Sequence, residues 1–299
     1  MKKKVNLFVV GAMKAGTTSF VDLLSQCPDI YVPPIKEPHF FVNQLPVSIY
    51  MPSRFFSLKA YFDKEFPKPL HITKIEKTED YRKLYSLAPA KCKYRIDAST
   101  CYLSSPETPK QIFTYNPDSK IIILLRDPLK RAMSHYAMDV GLGRTLRSFE
   151  NEILDDIEDL QNGTLSRYSY LNMSLYSNQV EGYKSYFGEN VLVLEFEKLA
   201  KSNTEEFDRL NQFLEVKERL YHLPLQNKTR TLKFPFVNKL LIKIGFKNLF
   251  SIFVPTPIKQ KLFQLLSSDK KSKTEISEKT LEKLKALLYS QTEKKIHQL

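Results

Sequence analysis

Two glycines, Gly11 and Gly16, bracket a short turn, Gly11-Ala12-Met13-Lys14-Ala15-Gly16, followed at once by Thr17, Thr18 and Ser19. Backbone N–H groups in such a turn, running into the positive end of a helix, form a cradle for phosphate oxygens. The nucleotide triphosphatase pattern places its lysine directly after the second glycine. Here Thr17 has that place, and the only lysine of the turn is Lys14. The loop can still hold a phosphate group. Its cation approaches from another direction, and no Lys-Ser/Thr pair is set up for magnesium and a γ-phosphate.

The elements around this turn must present it at an edge. Val5 to Val10, apolar except for Asn6, reads as a buried strand ahead of the turn. Lys120 to Arg126 (KIIILLR) and Asn190 to Glu195 (NVLVLE) are further apolar runs, and Tyr94 to Ala98 is a weaker one. Continuous apolar strands are typical of parallel sheets covered on both faces. Helical patterns lie between them at Thr17 to Gln26, Pro106 to Tyr115, Pro128 to Met138, Phe149 to Gln161, Ser177 to Phe187 and Thr204 to Leu214, with a last one at Ser277 to Ile296. Strands alternating with helices predict an α/β fold, a P-loop-like parallel β-sheet flanked by helices. Ligands in such sheets bind at the carboxyl ends of strands, where Gly11–Ser19 and Arg126–Ser134 both fall.

The 299 residues, 42% hydrophobic, suffice for a large core. We read them as a single domain, with an α/β core over 1–230 and a basic helical extension over 231–299. The net charge of +13 is concentrated: residues 217–299 carry 18 Lys/Arg against 6 Asp/Glu. An anionic partner near that end is one explanation, a solvated lysine-rich surface the other. Within 236–266, Lys239, Lys243 and Lys247 would share one helix face. That face suits either peripheral contact with a membrane or an ordinary helix packed on the sheet. No apolar run reaches the roughly 20 residues of a membrane helix. The start, basic then apolar, imitates a signal peptide, but Lys14 interrupts it, and the strand-and-loop reading accounts for more of its residues. Cys27, Cys92 and Cys101 are odd in number and contain no Cys-x-x-Cys, which points to a cytoplasmic chain without disulfides or a zinc site.

Four segments align as a set: Gly11–Ser19; Lys36-Glu37-Pro38-His39-Phe40-Phe41; Asp97-Ala98-Ser99-Thr100-Cys101-Tyr102-Leu103; and Leu125-Arg126-Asp127-Pro128 with Arg131 and Ser134. Together they resemble the sulfotransferases that use 3′-phosphoadenosine 5′-phosphosulfate, especially the heparan-sulfate-type and bacterial carbohydrate enzymes. The resemblance runs from Val5 to about Leu214.

The resemblance implies that amides of Ala15 to Ser19, with the hydroxyls of Thr17, Thr18 and Ser19, hold the 5′-phosphosulfate. Lys14 would sit near the bridging oxygen, where charge grows as sulfur leaves phosphate. Arg126 and Ser134 would bind the 3′-phosphate, which a planar guanidinium fork and a hydroxyl suit. Glu37 becomes the leading general base, its pKa expected to be raised by burial. His39 either positions the acceptor or is a core histidine, and Asp97 is a second possible base. Ala98 stands where the family carries lysine, and Lys36 is a candidate replacement. Tyr176, Lys228 and Arg230 match further cofactor-binding positions, the last two from the basic tail. The product is adenosine 3′,5′-bisphosphate, and the implied chemistry needs no metal, because Lys14 and Arg126 supply the cations. The acceptor is expected to be a hydroxyl, or less simply an amine, of a polysaccharide, another carbohydrate or a glycolipid, and Tyr50 to Lys93 is expected to shape its cleft.

Two rival readings stay open. A variant P-loop ATP-dependent kinase would want a lysine beside Gly16 and an acidic strand end for magnesium. A non-enzymatic polyanion- or membrane-binding protein would use the basic tail but leave Gly11–Ser19, Glu37 and Arg126–Ser134 unexplained. No nucleic-acid partner is expected, since charge alone supports one and no recognised module does.

Overall fold

The computed structural model describes residues 4–52, 56–224, 231–232, 267–268 and 274–290. Five strands form the central sheet in the order β2-β5-β1-β6-β7, with every neighbouring pair parallel. They are β1 (Leu7–Gly11), β2 (Ile30–Tyr31), β5 (Tyr94–Asp97), β6 (Lys120–Leu125) and β7 (Val191–Glu195). A separate parallel pair joins β3 (Ile35–Glu37) to β4 (Leu70–Ile72). The four apolar runs seen in the sequence are β1, β5, β6 and β7. The β3–β4 pair was not foreseen, because strands of three residues each carry no readable period.

The central strands are apolar without alternation because helices cover both faces. Leu7 to Val10 and Ile121 to Leu124 are wholly buried. Each such side chain contributes about 1.5–3 kcal/mol on burial. Register then fixes the functional edge: Phe8 pairs with Asp97 and with Ile121, and Leu125 pairs with Glu195. The carboxyl ends of β1, β5, β6 and β7 therefore open on one side. Strand order reverses at β1, which has β5 on one flank and β6 on the other, and this is where α/β sheets leave a crevice.

The helices nearest that edge are α1 (Thr17–Leu24), which leaves the loop after β1, and α5 (Pro128–Leu142), which leaves the loop after β6. Pro128 opens α5, and the Asp127 carboxylate accepts from the Lys130 N–H at 2.8 Å as its N-cap. The helix runs one turn past the expected Met138, until Gly143 caps it in the left-handed conformation. Between the strands, α2 (Leu58–Ala60), α3 (Thr78–Leu84) and α4 (Thr108–Tyr115) precede β6. After α5 come α6 (Phe149–Asn162), α7 (Tyr176–Phe187) and α9 (Thr204–Leu214), close to the expected bounds, with a short unforeseen α8 (Phe196–Ala200) between α7 and α9. A last helix, α10 (Glu278–Ser290), buries Leu284 and Leu288 against a cluster that includes Ala132, Phe149 and Ile153 of α5 and α6.

Cys27, Cys92 and Cys101 are buried free thiols. Among the described residues no helix is long and apolar enough to cross a membrane. The lysine-rich stretch 236–266, Lys228 and Arg230 lie outside the described residues.

Candidate active site

A cleft of ≈ 570 Å³ opens at the carboxyl edge of the sheet, lined among others by Lys14, Gly16, Thr17, Thr18, Ser19, Glu37, Thr100, Arg126 and Ser134. These residues come from four segments far apart in sequence, and the fold brings all four to one cavity.

The loop after β1 owes its shape to two left-handed residues. Gly16 has φ 82°, and Lys14, unusually for a side-chain-bearing residue, has φ 72°. A Cβ on Gly16 would run into the Phe196 ring. The N-cap of α1 is Gly16, which has no side chain to cap the helix, and Thr17 and Thr18 of the first turn line the cleft. Ala15 is different. It is wholly buried, and its N–H donates to the Ala12 carbonyl at 3.0 Å. It shapes the loop and is not the free phosphate donor that the sequence suggested. Burial lowers the Lys14 pKa, and the positive charge of Arg126 lowers it further.

Arg126 organises the second end of the cleft. Its Nη1 donates to the Lys14 carbonyl at 3.1 Å, tying the loop after β6 to the loop after β1. Its guanidinium lies over the Phe196 ring, 5.6 Å from the centroid. Its Nε is buried without a hydrogen-bond partner, although Glu197 Oε1 stands 3.9 Å away. A buried donor without an acceptor is uncommon and fits an anion bound beside it. Ser134, on the cleft face of α5, adds a hydroxyl. Tyr176 does not line the cleft. It is 2% exposed, and its hydroxyl donates to the Arg126 carbonyl at 3.1 Å, so it fixes the backbone that aims Arg126.

Glu37, at the end of β3, is 6% exposed. Its Oε1 accepts from Lys36 Nζ at 2.9 Å and its Oε2 from the Thr100 hydroxyl at 2.8 Å. His71 Nε2, from β4, is 3.8 Å from Oε1. Burial by itself raises the Glu37 pKa, but Lys36, with His39 and His71, outweighs it and holds the carboxyl well below the usual carboxylate range. The expected upward shift is thus reversed: Glu37 is an ionised carboxylate in a nest of donors. Lys36 also donates to the Thr18 hydroxyl at 3.3 Å, which places its ammonium between the loop and Glu37.

His39 and Asp97 stand behind this wall. His39 is wholly buried at φ 47°, with Nε2 3.4 Å from Glu37 Oε2 but not aligned for a hydrogen bond. It backs the carboxylate and does not line the cleft. Asp97 is also wholly buried. Its Oδ2 accepts from Tyr81 at 2.8 Å and Tyr102 at 2.9 Å, and its Oδ1 from the Ser99 hydroxyl at 2.7 Å. Burial pushes its pKa up against those hydrogen bonds. Wholly buried, held by these hydrogen bonds and absent from the cleft lining, Asp97 is placed as a structural carboxylate and not as the base the sequence allowed.

Several cleft residues had no role in the sequence reading. Thr100 was visible only as part of its segment. Phe196 and His71 carried no signal, since a phenylalanine after a strand and a histidine in an aromatic, lysine-rich stretch are ordinary. His71 and Ile72, from the Tyr50–Lys93 region, also line the cleft. Among the described residues no group of His, Cys, Asp or Glu has the arrangement of a metal site.

A parallel sheet with a glycine loop after β1 and an arginine after β6, both feeding one cleft, defines a P-loop-like α/β protein. The sulfotransferase family model matches residues 6–219, and the chain belongs to that family. Heparan sulfate glucosamine 3-O-sulfotransferase 5 of Homo sapiens is 24% identical over 74% of this chain and 57% of its own length. Carbohydrate sulfotransferase 15 of Rattus norvegicus is 23% identical over 58% of this chain and 34% of its own. The chain thus spans little more than half the length of the first of these relatives. A crystal structure of a sulfotransferase from Alicyclobacillus acidocaldarius superposes with a TM-score of 0.58 at 25% identity, covering 96% of each chain.

Proposed function

We propose that the protein moves a sulfuryl group from 3′-phosphoadenosine 5′-phosphosulfate to a hydroxyl of a carbohydrate or glycolipid. The observation that carries this reading is the pairing of two places in one cleft: the start of α1, where Thr17 and Thr18 line the cleft beside Lys14, and Arg126, whose buried Nε makes no hydrogen bond, with Ser134. A nucleotide phosphorylated at both 3′ and 5′ positions needs both. A nucleoside triphosphate needs only one, and the lysine a kinase would want after Gly16 is Thr17.

The donor supplies the activated sulfur. The chain's own residues do the rest. Thr17, Thr18 and Ser19 hold the phosphosulfate, and Lys14 offers positive charge where the departing phosphate gathers electrons. Lys36, held between Thr18 and Glu37, can turn to the sulfuryl oxygens. Glu37 takes the proton of the attacking hydroxyl. A carbohydrate acceptor is supported by the names of the relatives, and the buried free thiols fit a reducing cytoplasmic setting.

Thermal unfolding with adenosine 3′,5′-bisphosphate, with magnesium ATP and AMP as controls, tests the donor assignment. At a hundred times its dissociation constant the bisphosphate should add about 2.7 kcal/mol. Stabilisation that needs the 3′-phosphate and is lost in Arg126→Ala is the expected result. Stabilisation by magnesium ATP instead would replace this reading with the kinase.

A further inference from the structure

Sulfuryl transfer to a hydroxyl releases one proton per turnover. Glu37 can receive that proton but is 8% exposed at its side chain, so the proton needs a way out. The neighbours of the carboxylate differ in what they can do. Lys36 is a donor already engaged on Oε1, and Thr100 is a donor on Oε2. His39 is enclosed in the core. His71 is different: its Nε2 lies 3.8 Å from Glu37 Oε1 while its side chain is 62% exposed, and it lines the cleft. The β3–β4 register fixes this closeness, since Glu37 pairs with Ile72, the residue after His71. A bridging water or a small ring rotation spans such a gap.

We propose that His71 carries the acceptor's proton from Glu37 to solvent. The inference rests on Glu37 being the base. As the acceptor oxygen bonds to sulfur, its O–H bond breaks and the proton goes to Glu37. The bond from sulfur to the bridging oxygen breaks, and its electron pair leaves with the phosphate. The proton then passes to the neutral His71 ring, giving an imidazolium that returns it to water. The charged groups facing His71 are Glu37 and Lys36 from β3, His39 just after it, and Lys14 from the loop after β1. Burial and the three basic neighbours lower the His71 pKa while Glu37 raises it, and the net shift is downward. The His71 ring, 62% exposed and 3.8 Å from the carboxylate, is the neighbour of Glu37 that can both meet the proton and reach solvent.

The test is His71→Gln in the full chain, with donor cleavage to adenosine 3′,5′-bisphosphate and sulfate as the readout and water as acceptor. In dilute buffer, kcat should fall at least about tenfold with donor KM unchanged, and added imidazole should restore it. The wild-type rate should drop as pH falls through the His71 pKa, and this acid limb should vanish in the variant. An unchanged kcat, or a loss that imidazole does not repair in a variant that melts like wild type, overturns the relay. Glu37→Gln separates the two readings. If it keeps the wild-type rate, or if the wild type cleaves no donor, the base assignment itself fails. If Glu37→Gln is dead and His71→Gln is fully active, only the relay fails.

Discussion

The two ends of the cleft are built by opposite means. The phosphate end of the proposed reaction is a continuous stretch, Gly11 to Ser19, whose shape follows from two left-handed residues. The proposed acceptor end is assembled from side chains on β3, on β4 and after β5, and none of these segments makes a site alone. Glu37 is positioned by Lys36, Thr100 and the enclosed His39, and the segment after β5 is anchored in turn by Asp97 and its tyrosines. Local backbone geometry tolerates side-chain variation but not a Cβ at the wrong place. A side-chain site tolerates backbone drift but not the loss of one charge.

Substitutions can break this contrast. The largest effect is expected from the two acidic residues, which should separate cleanly. Glu37→Gln should lower kcat by about 10²–10⁴-fold with little loss of stability. Asp97→Asn should instead cost about 1.5–3 kcal/mol in urea unfolding, because it weakens a buried hydrogen-bonded carboxylate, while the folded fraction keeps its turnover. Equal effects on kcat would mean that both carboxylates belong to the chemistry.

At the phosphate end, Gly16→Ala should act through shape. The left-handed backbone costs a residue with a Cβ about 1–2 kcal/mol, and the added methyl meets Phe196. Calorimetry should show weaker binding of adenosine 3′,5′-bisphosphate. Unchanged affinity would mean that the loop does not hold the phosphate.

The smallest effect should come from Tyr289→Phe. The Tyr289 hydroxyl donates to Asp127 Oδ2 at 2.7 Å, and its loss from this part-buried place should cost only about 0.5–1 kcal/mol. Bisphosphate affinity should fall only slightly, since Arg126 keeps its link to Lys14.

The sequence displayed the phosphate end well because its information is contiguous: an apolar run, two glycines, then hydroxyls opening a helix. The central strands were legible for the same reason, since burial on both faces leaves an unbroken apolar string. The acceptor end was legible only in part. Glu37 was found through its segment, but its lowered pKa was not, because the Lys36 ammonium that lowers it could equally have pointed to solvent. Asp97 looked like a base until its tyrosine partners, one of them on α3, closed around it. His71 gave no sign at all, since its closeness to Glu37 exists only through the pairing of two very short strands.

The hydrogen bond from Tyr289 to Asp127 joins residues 162 apart in sequence. During synthesis the glycine loop and Arg126 emerge long before α10 does. The anion site then exists in outline, but Asp127, next to Arg126 and capping α5, lacks its last partner until the ribosome has released residue 289. A nascent chain can therefore complete its sheet while the turn between β6 and α5 still waits for the partner that α10 brings.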